Sequence, residues 1–163
     1  PYRLSLKANW GARCEKRDEV HVAAVPLRAT KGVPQILMST AYSLNIKDLY
    51  HYMVVIRSDS TQFRVYDFQP SDPEDVITAF VALMGRAVPG VVLRRSLRSL
   101  PRRKCWYVGD SSVDAIDAVA RFNESWDSNL VVGKHDCRDY ANGLVKLLTG
   151  EENVIQRLPN ISD

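Results

Sequence analysis

Two short runs rich in β-branched and aromatic residues, His51–Ile56 (HYMVVI) and Gln62–Phe68 (QFRVYDF), constrain the fold of this chain more than any other feature. Such side chains fit a pleated, half-buried surface. Ser58, Asp59 and Ser60 in the gap between the runs suit a turn, so the pair predicts a β-hairpin. Helix signals follow at once. Asp72 can cap, Pro73 takes the first helical position, and Glu74 and Asp75 complement the helix dipole. Val76, Ile77, Phe80, Val81, Met84 and Val88 recur at helical spacing, and Pro89 and Gly90 are expected to end the helix.

The same reading predicts strands at Val20–Pro26, Ile36–Tyr42, Val91–Leu93, Lys104–Val108 and Asn129–Val132, with residues 2–7 as a further short candidate. Pro26, Gly32 and Pro34 punctuate the early strands, and Ala8–Glu19 reads as a loop. Helices are expected over Val113–Trp126 and from Cys137 to Leu148, with Gly150 placed as a stop. The polar residues after about 150 read as a fraying tail. A chain of 163 residues in this order is expected to form one α+β domain spanning residues 1–163.

Net charge is +3, from 22 basic and 19 acidic residues, which does not by itself point to nucleic acid. One basic cluster stands out: Arg94, Arg95, Arg98, Arg102, Arg103 and Lys104. It suits an acidic partner, RNA or an anionic membrane surface, but its plainer reading is a solvated edge strand, since charges protect sheet edges. Three cysteines, Cys14, Cys105 and Cys137, are too few and odd in number for a disulfide framework, which points to an intracellular, reducing compartment. No apolar run approaches the ~20 residues that span a bilayer, and no signal peptide is visible. The chain opens on Pro1 rather than Met, as a processed precursor would, so cytoplasm and an organelle reached after loss of a targeting segment are both open.

Cys137 is the residue with the most chemistry around it. Asp136 is placed to cap the last helix, which puts Cys137 in its first turn, on the face shared by Tyr140, Ala141, Leu144, Leu147 and Leu148. The partial positive charge and unpaired N–H groups of a helix N-terminus favour a thiolate and can hold an oxyanion. Asp136 and Asp139 work against this, because adjacent negative charge disfavours the thiolate, and a buried cysteine often only fills space. His51 shifts the balance toward chemistry. It opens the best strand and alternates with Met53 and Val55, so its polar ring needs a partner. If the hairpin is symmetric about Asp59, Ile56 faces Gln62 and His51 faces Asp67, with Cβ atoms ~5 Å apart. Asp67 would then fix the tautomer of His51 and complete a Cys137–His51–Asp67 triad, whereas a one-residue slip would send Asp67 to the opposite face.

At these residues the chain resembles the permuted papain-like thiol enzymes, a group that includes the lecithin:retinol acyltransferase-like and PPPDE-type families. Those families carry a histidine opening a strand and, later, a cysteine starting a helix. His51-Tyr52-Met53-Val54-Val55-Ile56 is similar to the first motif, and Asp136-Cys137-Arg138-Asp139-Tyr140-Ala141-Asn142-Gly143-Leu144 to the second. The order, histidine before cysteine, is that of the permuted group. The chain departs from the acyltransferase-like branch at Asp67, where a second histidine is typical, and at Asp136, where asparagine is typical. The resemblance covers roughly residues 50–70 and 113–150. It implies a papain-like (NlpC/P60-type) α+β fold in permuted order, with an antiparallel sheet packed by helices. It also implies a thiol hydrolase or acyltransferase acting on an amide, isopeptide or ester bond of a protein or acyl-bearing substrate, with no cofactor. The alternative is a catalytically inactive module of the same fold, a pseudoenzyme serving as an interaction or structural subunit.

Other residues carry less. His135 lies two positions before Cys137 but is poorly placed to face it, and reads as a loop histidine near solvent. With three histidines, three cysteines and no C-x-x-C pair, a closed zinc site would need ligands from scattered places, and none is expected. His21 sits in an apolar run and reads as a core or strand-face residue. Ser111 and Ser112 lack a nucleophile-elbow motif, no phosphate-cradling glycine motif is present, and Trp10, Trp106 and Trp126 suit a core or an interface.

Overall fold

The structure, a computed structural model, describes residues 17–26, 50–58 and 62–159. The expected strands at 2–7 and 36–42, Cys14, Trp10, most of the 8–19 loop and the centre of the hairpin turn lie outside the described residues. Within them the chain runs β1 (Glu19–Pro26), β2 (Tyr50–Arg57), β3 (Phe63–Pro70), α1 (Val76–Leu83), β4 (Val88–Leu97), β5 (Cys105–Asp110), α2 (Ala115–Ser125), β6 (Asn129–Leu130), α3 (Cys137–Thr149) and α4 (Val154–Arg157). The architecture is α+β, with a six-stranded antiparallel sheet in the order β5-β1-β2-β3-β4-β6.

Alternation along the strands sorts the apolar residues onto two faces. Val22, Tyr52, Val54, Ile56, Tyr66 and Phe68 share the main core with the α3 residues Tyr140, Ala141, Leu144, Val145 and Leu148. On the other face Ala23, Met53, Val55 and Val65 form a smaller cluster, flanked by Phe63, Leu97, Leu100 and Cys105. Helix α3 packs across β1, β2, β3 and β5, with α2 beside it.

The hairpin forms with a different register from the symmetric one. Ile56 pairs with Arg64 rather than Gln62, and Val54 with Tyr66. The shift is two residues, so every side chain keeps its face. The β2–β3 ladder stops at Val54–Tyr66, yet both strands run on, β2 paired with β1 as far as Tyr50 and β3 paired with β4 as far as Pro70. The sheet therefore splays at this end, between His51 on one lip and Asp67 on the other.

Helix α1 is shorter than its apolar spacing suggests. Its cap is Asp75, not Asp72, because the Asp75 carboxylate accepts the Thr78 N–H at 2.8 Å. Pro89 and Gly90 do not terminate it; they lie inside β4, where Val88 pairs with Leu130 and Pro89 with Asn129. A proline is tolerated near the start of such a strand, where few ladder bonds are asked of it. Gly90 is there for space: a Cβ at this position would sit 2.6 Å from the Phe68 ring. Beyond Gly90, whose N–H donates to the Ser128 carbonyl oxygen at 2.7 Å, β4 has no outer ladder partner among the described residues, so Arg94 and Arg95 do stand on the edge of the sheet.

The chain after Gly150 does not simply fray. Residues Val154–Arg157 form a helical turn that buries Val154, and the Ile155 N–H donates to Asn142 Oδ1 of α3 at 3.0 Å. Apolar Val154 and Ile155 within a polar stretch supply that anchor. Among the described residues, no helix is long and apolar enough to cross a membrane.

Candidate active site

Cys137 is the first residue of α3, and the local sequence dictates that placement. Asp136 adopts extended backbone before the helix, its side chain accepts the Arg138 N–H at 2.8 Å and also the Asp139 backbone N–H, and the Asp139 carboxylate accepts the Asp136 N–H at 2.9 Å. This reciprocal pair is a capping box. Asp136 also binds the Gly133 N–H at 2.7 Å and the Arg138 guanidinium at 2.7 Å. Burial alone would raise its pKa, but the Arg138 side chain and these N–H groups outweigh that and hold it below the ordinary carboxylate range. The negative charges flanking Cys137 are thus tied down, one by Arg138 and one by the helix start. The N–H of Cys137 itself is the first-turn donor that the Asp136 carboxylate does not take.

His51 Nε2 lies 2.8 Å from Asp67 Oδ2. Asp67 is fully buried, and its other oxygen, Oδ1, accepts from Arg95 Nη2 at 2.6 Å. The expected His51–Asp67 contact therefore exists, although the two are diagonal across the splay instead of directly opposite. Desolvation pushes the Asp67 carboxyl up, but His51 and Arg95 together hold it below its usual range.

Cys137 is, with Asp67, one of the two groups whose hydrogen bonding and charge act on the His51 ring. Strand alternation alone would keep His51, which shares the face of Met53 and Val55, on the side of the sheet away from α3. Burial pulls the pKa of His51 down, yet the hydrogen bonds to Asp67 and Cys137 and their charges win, and it rises to about 9. The His51 side chain is 13% exposed and Cys137 is half-buried.

Arg95 is the site residue that sequence reasoning missed, since it read as one of a solvated basic run. It pairs with Val65, one diagonal step from Asp67 on the same face. The alternation of β4 carries that signal once β3 is known to be its neighbour. His135 stays away from Cys137: its Nε2 lies 2.9 Å from the Asp127 carbonyl oxygen, and its ring stacks on Trp126 at 4.5 Å. His21 is buried on β1 beside Tyr107, as a strand-face histidine. Burial pushes the Cys105 thiol up. Among the described residues, no group of three or more His, Cys, Asp or Glu is arranged to hold a metal ion.

No protein-family model, no curated protein and no solved structure matches the chain.

Proposed function

We propose that the chain is a thiol hydrolase or acyl-transfer enzyme of the permuted papain-like kind, with Cys137 as nucleophile, His51 as its proton acceptor and donor, and Asp67 orienting His51. The observation that carries this reading is the His51 ring 2.8 Å from a buried carboxylate, its basicity raised by that carboxylate and by the sulfur at the start of α3. In the first step the Cys137 sulfur, with the proton of the pair residing on the ring, attacks the carbonyl carbon of an amide, isopeptide or ester. The oxyanion so formed is met by the Cys137 N–H. The ring then gives its proton to the departing amine or alcohol, and water or another acceptor takes the acyl group from sulfur in a second round. The raised basicity of His51 supports this, because it keeps the ring as an imidazolium at neutral pH, ready to give a proton to the leaving group.

The test is thiol reactivity. Iodoacetamide labelling of Cys137 at pH 6, located by peptide mass spectrometry, should exceed that of a free cysteine at least tenfold and drop to the free rate in His51→Ala. A Cys137 that reacts like an ordinary thiol, indifferent to His51, removes the enzymatic reading.

One observation favours a second reading, a non-catalytic interaction module. Two surface grooves of 320 and 330 Å³ lie between α2 and the sheet, and neither is lined by Cys137 or His51. The labelling experiment separates the two readings.

A further inference from the structure

The two grooves form one feature. The first is lined by Arg64, Tyr66 and Ser96 of the sheet and by Ile116 and Val119 of α2. The second is lined by Phe68 and Val92 of the sheet and by Asn123, Glu124 and Trp126 at the end of α2. Arg94 lines both, so they run end to end along α2.

The ends differ in chemistry. Arg94 pairs with Tyr66 and Ser96 with Arg64, which sets the two guanidinium groups on diagonal positions of the same sheet face. Both are exposed, and neither pairs with a carboxylate among the described residues. Their neighbour Arg95, which also lines the first groove, is taken by Asp67. The other end is apolar and aromatic, with Phe68 against Trp126 in an edge-to-face pair and Val92 beside them. Two buried donors in that wall, Asn123 Nδ2 and Trp126 Nε1, have no partner among the described residues. Asn123 is held in place through its Oδ1, which accepts the Tyr140 O–H at 2.7 Å.

From these features we infer that the groove between α2 and β3–β4 binds an extended acidic peptide segment, carboxylates on Arg64 and Arg94 and an apolar side chain against Phe68, Val92 and Trp126. Paired guanidinium groups match carboxylates in geometry as well as charge. The β3 stretch from Arg64 to Phe68 is about 13 Å long, room for roughly four extended residues. A nucleic acid fits less well. Its phosphates repeat along the whole strand, and the far end of the groove offers Glu124 and apolar wall in place of cations. This inference stands apart from the thiol chemistry and is tested without it.

The experiment is fluorescence anisotropy on the full chain at low salt. The probe is a fluorescein-labelled hexapeptide, Glu-Glu-Ser-Gly-Leu-Phe, compared with the same peptide carrying lysines for glutamates and with a labelled ten-nucleotide oligouridylate. The acidic peptide should bind at least tenfold more tightly than either comparison. Arg64→Ala with Arg94→Ala should weaken it tenfold or more, while Arg98→Ala, an exposed arginine outside the groove, changes it less than twofold. Circular dichroism checks that each variant is folded; both groove arginines are surface residues, so the fold is expected to persist. Failure of the acidic peptide to bind at millimolar concentration, equal binding of lysine peptide or oligouridylate, or full binding by the double variant each overturns the inference.

Discussion

Asp67 and Arg95 meet at 2.6 Å across neighbouring strands, and the same carboxylate holds His51 at 2.8 Å with its other oxygen. One fully buried acid is thus shared by two bases, one from each side of the splayed end of the sheet. Removing it should be felt at both. In Asp67→Asn the His51 ring loses its charged partner while keeping its burial, which lowers the pKa of a histidine. Its midpoint, followed by NMR titration of the ring protons, should fall from about 9 by at least ~1 unit. Stability at neutral pH should drop by about 1–3 kcal/mol in urea unfolding, the usual cost of losing hydrogen bonds to a charged group. An unmoved midpoint would mean that Asp67 does not govern the ring.

Stability should also depend on alkaline pH. The folded chain holds the His51 proton up to about 9, whereas an unfolded chain releases it near 6.5. A raised folded pKa stabilises fully below the unfolded value and loses that contribution as pH rises through the folded one. Urea midpoints should therefore decline between pH 6.5 and pH 9, by an amount on the order of 3 kcal/mol at most. His51→Gln should flatten that slope; a variant that keeps the full decline would assign it to another group.

The start of α3 depends on one side chain. Asp136→Ala removes the cap, the Gly133 contact and the Arg138 partner together. A cost of about 1–2 kcal/mol is expected in thermal or urea unfolding, with Asp136→Asn retaining most of the stability. Equal losses in both variants would show that charge, not capping, is what Asp136 supplies.

Gly90→Ala probes a close approach between strands. The added methyl would meet the Phe68 ring at 2.6 Å and the Ser128 carbonyl oxygen at 3.0 Å. Phe68 is buried in the main core, so the ring has little room to yield. Overpacking of this kind costs about 1–3 kcal/mol, and the Trp126 fluorescence should change with it, since the two rings touch. A fully stable Gly90→Ala protein would require Phe68 to move freely.

How much of this was legible in the sequence varies by residue. His51 and Asp67 could be joined from the chain because alternation fixes faces, and a register error of two residues leaves faces unchanged. The caps of α3 were legible at Asp136 and Gly150, which act through local backbone without help from distant residues, whereas Asp139 read only as a charge beside the thiol and its part in the capping box was missed. Val88 was misread since an apolar residue at helical spacing from Met84 can equally begin a strand, and only Leu130, far along the chain, decides. Arg95 was misread because its partner comes from another strand, and local charge patterning cannot show a buried carboxylate. The splay between β2 and β3 has no local signature, as it reflects where two ladders stop and two others continue.

That splay has a mechanical consequence. The described pairing between the half-sheet β5-β1-β2 and the half-sheet β3-β4-β6 is confined to Val54–Arg57 against Phe63–Tyr66, with α3 laid over the seam as a brace. A force that pries the halves apart would bear first on this short ladder and on the His51–Asp67 contact that spans it.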